Sequence, residues 1–174
     1  DPVDALLDLS LDEALETEFS LKGLVGGNRQ ADIETLTHPL THPSFSDGGA
    51  HVRFFTTSTW PTYLLSHWVR EEEALTLEQA HYKMSALPAW LAGFKDRGII
   101  REGMAADIIV YDPDKIGFAS DKPEYATDFP GGEKRLIQKP KGMRYIMVNG
   151  VVTFEDTKCT GALPGKVLRS YDMI

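Results

Sequence analysis

Phe45-Ser46-Asp47-Gly48-Gly49-Ala50-His51-Val52 sets an acidic side chain where a short apolar run breaks into a pair of glycines. The residues before it read as alternating helix and strand. Those after it read as a long helical segment followed by a small β-region. A carboxylate at the carboxyl end of a strand, opening into a glycine loop, is where barrel and doubly wound enzymes set catalytic groups. Asp-Gly-Gly is equally an ordinary turn, since glycine supplies positive φ and aspartate caps its own backbone. Three residues do not separate the two readings; their surroundings have to.

Upstream, residues 3–16 carry Leu6, Leu7, Leu9 and Leu11 at helical spacing, and Ser10 with Glu13 has the spacing of a capping box, so a break or restart near Ser10 is expected. Phe19–Val25 reads as a short strand running into Gly26-Gly27-Asn28, and Gln30–Leu36 as a short helix. His38-Pro39 and His42-Pro43 put two histidines four apart. A proline after each forbids the helix that would bring both to one metal, so they read as loop residues.

Downstream, Thr59 is placed to cap a helix with Pro61 in its first turn, and Leu64, Leu65, Trp68 and Val69 share one face, with His67 on its flank. Thr76 and Gln79 form a second capping box, followed by Leu77, Ala80, His81 and Met84 in helical period. Pro88 is expected to start a third short helix that Gly93 ends. The character then changes. Ala106–Tyr111 is a β-branched run closed by Asp112-Pro113, and residues 113–142, with four prolines and four glycines, read as a long ordered loop. Met143–Phe154 holds two β-rich runs joined by Asn149-Gly150, the strongest two-residue hairpin signal.

Composition sets outer limits. With 174 residues, 42% hydrophobic and 25% charged, the chain can bury a core of its own. A net charge of −8 and no basic stripe argue against nucleic acid, and no apolar stretch reaches the length of a membrane span. Cys159 is the single cysteine, so there is no disulfide within the chain and no cysteine-rich metal cage; a reducing, cytoplasmic setting is expected. The opening Asp1-Pro2 runs directly into patterned sequence, as in a piece of a longer protein.

Helix, strand, helix, strand-plus-acid, helices and then a small β-unit is the closing pattern of a (β/α) barrel with an appended β-domain. At that point the chain resembles the amidohydrolase superfamily, and within it the N-acyl-D-amino-acid deacylases (D-aminoacylases). The residues that carry the likeness are Ser46–His51, Pro61–Leu65, Asp96-Arg97-Gly98, Gly103–Val110, Val148–Val152 and Thr160–Gly165. The resemblance covers nearly the whole chain but only the C-terminal third or so of a typical member.

The resemblance implies an α/β fold: the last two βα units of a (β/α)8 TIM-type barrel in residues 1–93, and a composite β-sandwich in 94–174. It implies hydrolysis of an amide C–N bond, expected to be that of an N-acyl-D-amino acid, with one or two zinc ions polarising the carbonyl and acidifying a water. Asp47 matches the carboxylate that takes the water's proton, delivers it to the leaving amine and contributes to the metal. Gly48 and Gly49 would let backbone approach the substrate. Arg53 would meet a substrate carboxylate, or is a surface arginine. His51 would line the pocket or hold Asp47, or is a structural loop histidine.

The histidine pair on the first strand, the bridging cysteine or lysine and the two further histidines of a full member are missing, and Cys159 lies too far along to serve. This chain alone is therefore expected to be inactive and to hold no zinc. Its unfinished barrel edges would be covered by self-association or by a second chain. Two alternatives stand beside this reading: a non-catalytic binding or assembly module on the same pieces, and a ring-opening hydrolase of dihydroorotase or hydantoinase type.

Overall fold

The computed structural model describes residues 1–19, 27–43 and 46–169. It divides into two compact units, Asp1–Thr35 and Leu36–Ile174.

In the first unit, α1 (Pro2–Asp12) starts where Asp1 accepts a hydrogen bond from Val3 N at 2.8 Å and Pro2 takes the position in which a missing N–H costs nothing. No break occurs at Ser10, contrary to the expectation from its spacing to Glu13. The Ser10 hydroxyl donates back to Leu6 O at 2.7 Å, satisfied inside the helix, and is not needed as a cap. The helix ends two residues later, with Ala14 and Leu15 in the left-handed region and Leu15 N bonded to Ser10 O. The expected strand Phe19–Val25 falls almost wholly outside the described residues. α2 (Arg29–Thr37), within which the first unit ends, forms where a helix is expected, capped by Asn28 Oδ1 on Ala31 N at 3.2 Å.

In the second unit the strand expected to end at Asp47 reaches Ser44 and Phe45, outside the described residues; Thr41–Pro43 and Ser46–Asp47 on either side are in no strand. A 3-10 turn (Thr57–Thr59) leads into α3 (Trp60–Tyr63), with Pro61 in its first turn as expected. Thr59 does not cap it. Its hydroxyl donates to Thr56 O at 2.6 Å, because the preceding turn already continues into the helix and leaves no orphan N–H for it.

α3 continues as a π-helix, Leu64–Glu71, whose wider turn buries three consecutive residues, Leu64, Leu65 and Ser66. Thr76 and Gln79 make the expected reciprocal capping box on α4 (Leu77–His81). The chain then passes without a break through a second π-turn, Tyr82–Ala86, into α5 (Leu87–Leu91). Pro88 therefore does not begin a separate helix. The π-turn just before it, in which Leu87 N reaches back to Tyr82 O, changes the pitch where proline would otherwise meet a carbonyl. The helix stops at Gly93 as expected, with Phe94 N on Ala89 O and Gly93 N on Trp90 O.

The β-region comprises β1 (Ile108–Tyr111), β2 (Gly117–Phe118), β3 (Glu124–Ala126), β4 (Arg135–Ile137), β5 (Pro140–Lys141), β6 (Met143–Val148), β7 (Val151–Glu155) and β8 (Lys158–Cys159). β1, β6, β7 and β8 form one antiparallel sheet in the order β1-β6-β7-β8, around the expected hairpin, with Asn149 and Gly150 both at positive φ. Residues 113–142 are not one long loop. They form two antiparallel ribbons, β2 with β5 and β3 with β4, of two or three residues per strand. Runs that short carry no readable alternation.

The core gathers Leu64, Leu65, Leu75, Ala80 and Ile116, flanked by Trp60, Trp68, Met84, Tyr111 and Met143. Ile116 comes from the supposed loop, and Arg70 holds its carbonyl at 2.5 Å and that of Pro113 at 3.3 Å. Among the described residues no helix is long and apolar enough to cross a membrane.

The motif residues of the β-region converge at the hairpin tip. Arg97 donates to both oxygens of Asp96 at 3.1 Å and to Asp107 Oδ2 at 2.6 Å. Asp107 Oδ1 accepts Asn149 N at 2.8 Å, Ala106 O accepts Gly150 N, and Asn149 Nδ2 donates to Pro164 O at 2.9 Å. The Arg97 guanidinium pulls the Asp96 carboxyl below its ordinary value, and the same hydrogen bonds raise Arg97.

Candidate functional site

Asp47 opens a turn. Its carbonyl accepts Ala50 N at 3.1 Å and His51 N at 3.0 Å, and His51 O accepts Phe54 N and Phe55 N. Gly48 sits where a β-carbon would come within 2.7 Å of Ser58 Cβ and 3.0 Å of Ser46 Oγ, so close packing excludes any side chain there. Gly49 follows at φ +102°, a conformation other residues rarely adopt. The turn is tied to the β-region by Leu136 N on Val52 O at 2.7 Å and by Thr56 Oγ1 on Gln138 at 3.5 Å.

The backbone is thus engaged while the Asp47 side chain is exposed and makes no hydrogen bond or ion pair among the described residues. Asp47 lines an open cleft of about 610 Å³ together with Ser46, Phe54, Phe55, Trp60 and Tyr63 and with Thr56, Thr57 and Thr59. Aromatic faces with a few hydroxyls and one carboxylate suit an organic ligand with polar groups at one end. Among the described residues, the lining contains no lysine or arginine.

The expected site residues divide accordingly. Asp47 lines the cleft. Gly48, Gly49, His51 and Arg53 do not. The two glycines shape the turn, His51 meets the Phe55 ring edge-on at 6.1 Å, and Arg53 is exposed. Sequence reasoning missed the aromatic wall. Its signal was the Phe54-Phe55 pair and Trp60 at a helix start, positions outside any periodic core face.

The histidines are occupied elsewhere. His42 Nδ1 donates to Pro43 O at 2.8 Å, and His38 Nδ1 accepts Leu40 N. His67 pairs with Glu71 at 3.0 Å, and His81 shares a 2.6 Å hydrogen bond with the Tyr111 hydroxyl. Among the described residues no three His, Cys, Asp or Glu side chains gather as a metal would need. A catalytic zinc takes three protein ligands, so these side chains do not fit a metal centre by themselves.

The sequence profile of the amidohydrolase family matches residues 34–154, more than half of the chain. N-acyl-D-aspartate deacylase of Alcaligenes xylosoxydans xylosoxydans is 31% identical over 148 residues, which are 83% of this chain and 27% of that protein. N-acyl-D-glutamate deacylase of the same organism is 36% identical over 110 residues, 62% of this chain and 20% of that protein. A solved N-acyl-D-glutamate deacylase from Bordetella bronchiseptica, complexed with zinc and a phosphonate inhibitor, is 34% identical with a TM-score of 0.40, covering 53% of this chain and 17% of that one. The chain spans about a quarter or less of the length of these relatives. The matched stretch runs from α2 through the Asp47 turn and the helices to the hairpin, and on it the chain belongs to the amidohydrolase family.

Proposed function

We propose that this chain is the C-terminal part of a metal-dependent hydrolase that cleaves the amide bond of an N-acyl-D-amino acid. Residues 1–93 then belong to the closing part of a barrel and 94–174 to a β-sandwich. Asp47 is the proton-transfer group: its carboxylate takes a proton from the attacking water and gives it to the departing amine nitrogen. The observation that carries this is an unengaged carboxylate, on a turn closed by Ala50 N and His51 N on Asp47 O, beside an aromatic cleft. A carboxylate without an internal partner is available to take a proton from a water in the cleft.

The aromatic wall takes the apolar part of the substrate, either the acyl chain or the side chain. Zinc, which the family resemblance implies, would be held chiefly by residues other than those of this chain and would supply the acidity of the attacking water. The exposed Leu40, Trp90 and Ile100, at 87%, 73% and 83% exposure, are faces to be covered by the remainder of the enzyme or by another copy.

The test is Asp47→Asn in the longest polypeptide that carries this chain, assayed on N-acyl-D-amino acids. Retained zinc with kcat down by about 10²–10⁴-fold supports the reading. Unchanged kcat, or no turnover by the unaltered protein, sinks it in favour of a non-catalytic module. The 174-residue chain alone should show neither turnover nor stoichiometric zinc uptake.

A further inference from the structure

Lys83 is 6% exposed and is the only charged residue fully buried among those described. It sits in the π-turn Tyr82–Ala86, and none of the described carboxylates pairs with it. Removing an ammonium from water without a counter-ion is costly, and here burial lowers its proton affinity. What it finds instead is a pair of carbonyls: Nζ donates to His38 O and to Thr41 O, each at 2.7 Å.

Both belong to one turn. Thr41 N and Thr41 Oγ1 return to His38 O at 3.2 and 3.1 Å, and Leu40 N donates to His38 Nδ1 at 3.2 Å. A short turn with two carbonyls aimed at one cation is held more firmly than neutral hydrogen bonds would hold it. Thr41 lies six residues before Asp47. On the far side of Asp47, Val52 O is tied to Leu136 N at 2.7 Å. Among the described residues, held positions thus flank Asp47 in sequence at Thr41 and at Val52, and Lys83 makes the upstream one from a helix.

We infer that Lys83 is a positioning residue for Asp47: by gathering the carbonyls of His38 and Thr41 it holds the turn from which the chain leads on to the carboxylate. The inference rests on the reading of Asp47 as the proton-transfer group. A catalytic group displaced by about 1 Å loses on the order of 100-fold in rate, so an anchor outside the cleft acts on kcat without touching substrate.

The experiment compares Lys83→Met, Lys83→Arg and the unaltered protein in the longest polypeptide that carries this chain. It reads kcat and KM per folded, metal-loaded molecule, together with hydrogen exchange over residues 36–56. Lys83→Met should lower kcat about 10- to 100-fold with KM and zinc content unchanged, and speed exchange at Leu40, Thr41, Ala50 and His51. Lys83→Arg, whose guanidinium also reaches two carbonyls, should recover much of both.

A purely structural lysine predicts a lower melting temperature and less folded protein, but unchanged kcat per folded molecule; that result overturns the inference. So does faster exchange spread over 77–91 and absent from 38–51. If the unaltered protein hydrolyses no N-acyl-D-amino acid, the hydrolase reading fails. The exchange result then still decides whether Lys83 holds the Asp47 loop.

Discussion

The Asp47 turn and the Arg97 cluster at the hairpin tip are both built from charged residues beside glycines, and they are finished differently. At the tip every charge has its partner inside the chain: Arg97 spans Asp96 and Asp107, and Asp107 reaches on to the hairpin backbone. Arg97 is only 14% exposed there. At the turn the backbone is equally well bonded, yet the carboxylate faces an open cleft with no partner among the described residues. An arrangement that satisfies itself holds a fold together. One whose scaffold is complete and whose reactive group is left over is poised for something that comes from outside.

The largest effect that separates the two regions is Asp47→Asn. It should remove about 10²–10⁴-fold in rate and leave the melting temperature where it was. Arg97→Met should do the reverse. It leaves two carboxylates without their shared donor. We expect a lower urea midpoint, with kcat per folded molecule unchanged. If Arg97→Met abolished activity in folded protein, the division would break.

The tip also has a pH signature. Arg97 holds Asp96 below its ordinary value, so the folded state gains stability above the unfolded value of about 3.9 and loses it as pH falls further. Arg97→Met should flatten that acid limb.

Gly48→Ala is smaller and more local. Its methyl would meet Ser58 Cβ at 2.7 Å, and overpacking of this size costs about 1–3 kcal/mol. Because the strain falls within the turn, kcat should drop more than stability. Ser58→Gly in the same protein should restore part of the rate.

These two regions also mark what the sequence makes legible. The hairpin, the Thr76 capping box and the Gly93 stop are encoded by residues within a few positions of one another, and all three form as read. The family was legible from motifs at the Asp47 turn and at the start of α3 together with those that meet at the hairpin tip. The two ribbons in 113–142 were not, because strands of two or three residues are set by their partners and not by their own pattern. The aromatic cleft was missed for the same reason: Phe54 and Phe55, at the end of the Asp47 turn, form a wall only together with Trp60 and Tyr63 of α3. Ser10, Thr59 and Pro88 carried correct local signals that the surrounding helix overrode.

The smallest expected effect tests whether titration belongs to the fold or to the site. His81 packs beneath β1, half-buried, with Nε2 2.6 Å from the Tyr111 hydroxyl. Burial lowers its proton affinity, and Glu78 acts weakly in the opposite sense. The unfolded chain takes up this proton near pH 6.5, whereas the folded chain does so only at lower pH. The unfolded state therefore binds more protons between those two values. Stability should be flat above about pH 6.5 and fall as pH drops through the interval. His81→Phe removes the titration while keeping an apolar ring, so the difference between the two unfolding curves isolates this histidine from His38, His42, His51 and His67. The slope should appear in stability alone. A shift of the rate profile in His81→Phe, with unfolding unchanged, would tie His81 to the Asp47 cleft and erase the distinction between a satisfied interior and an unsatisfied site.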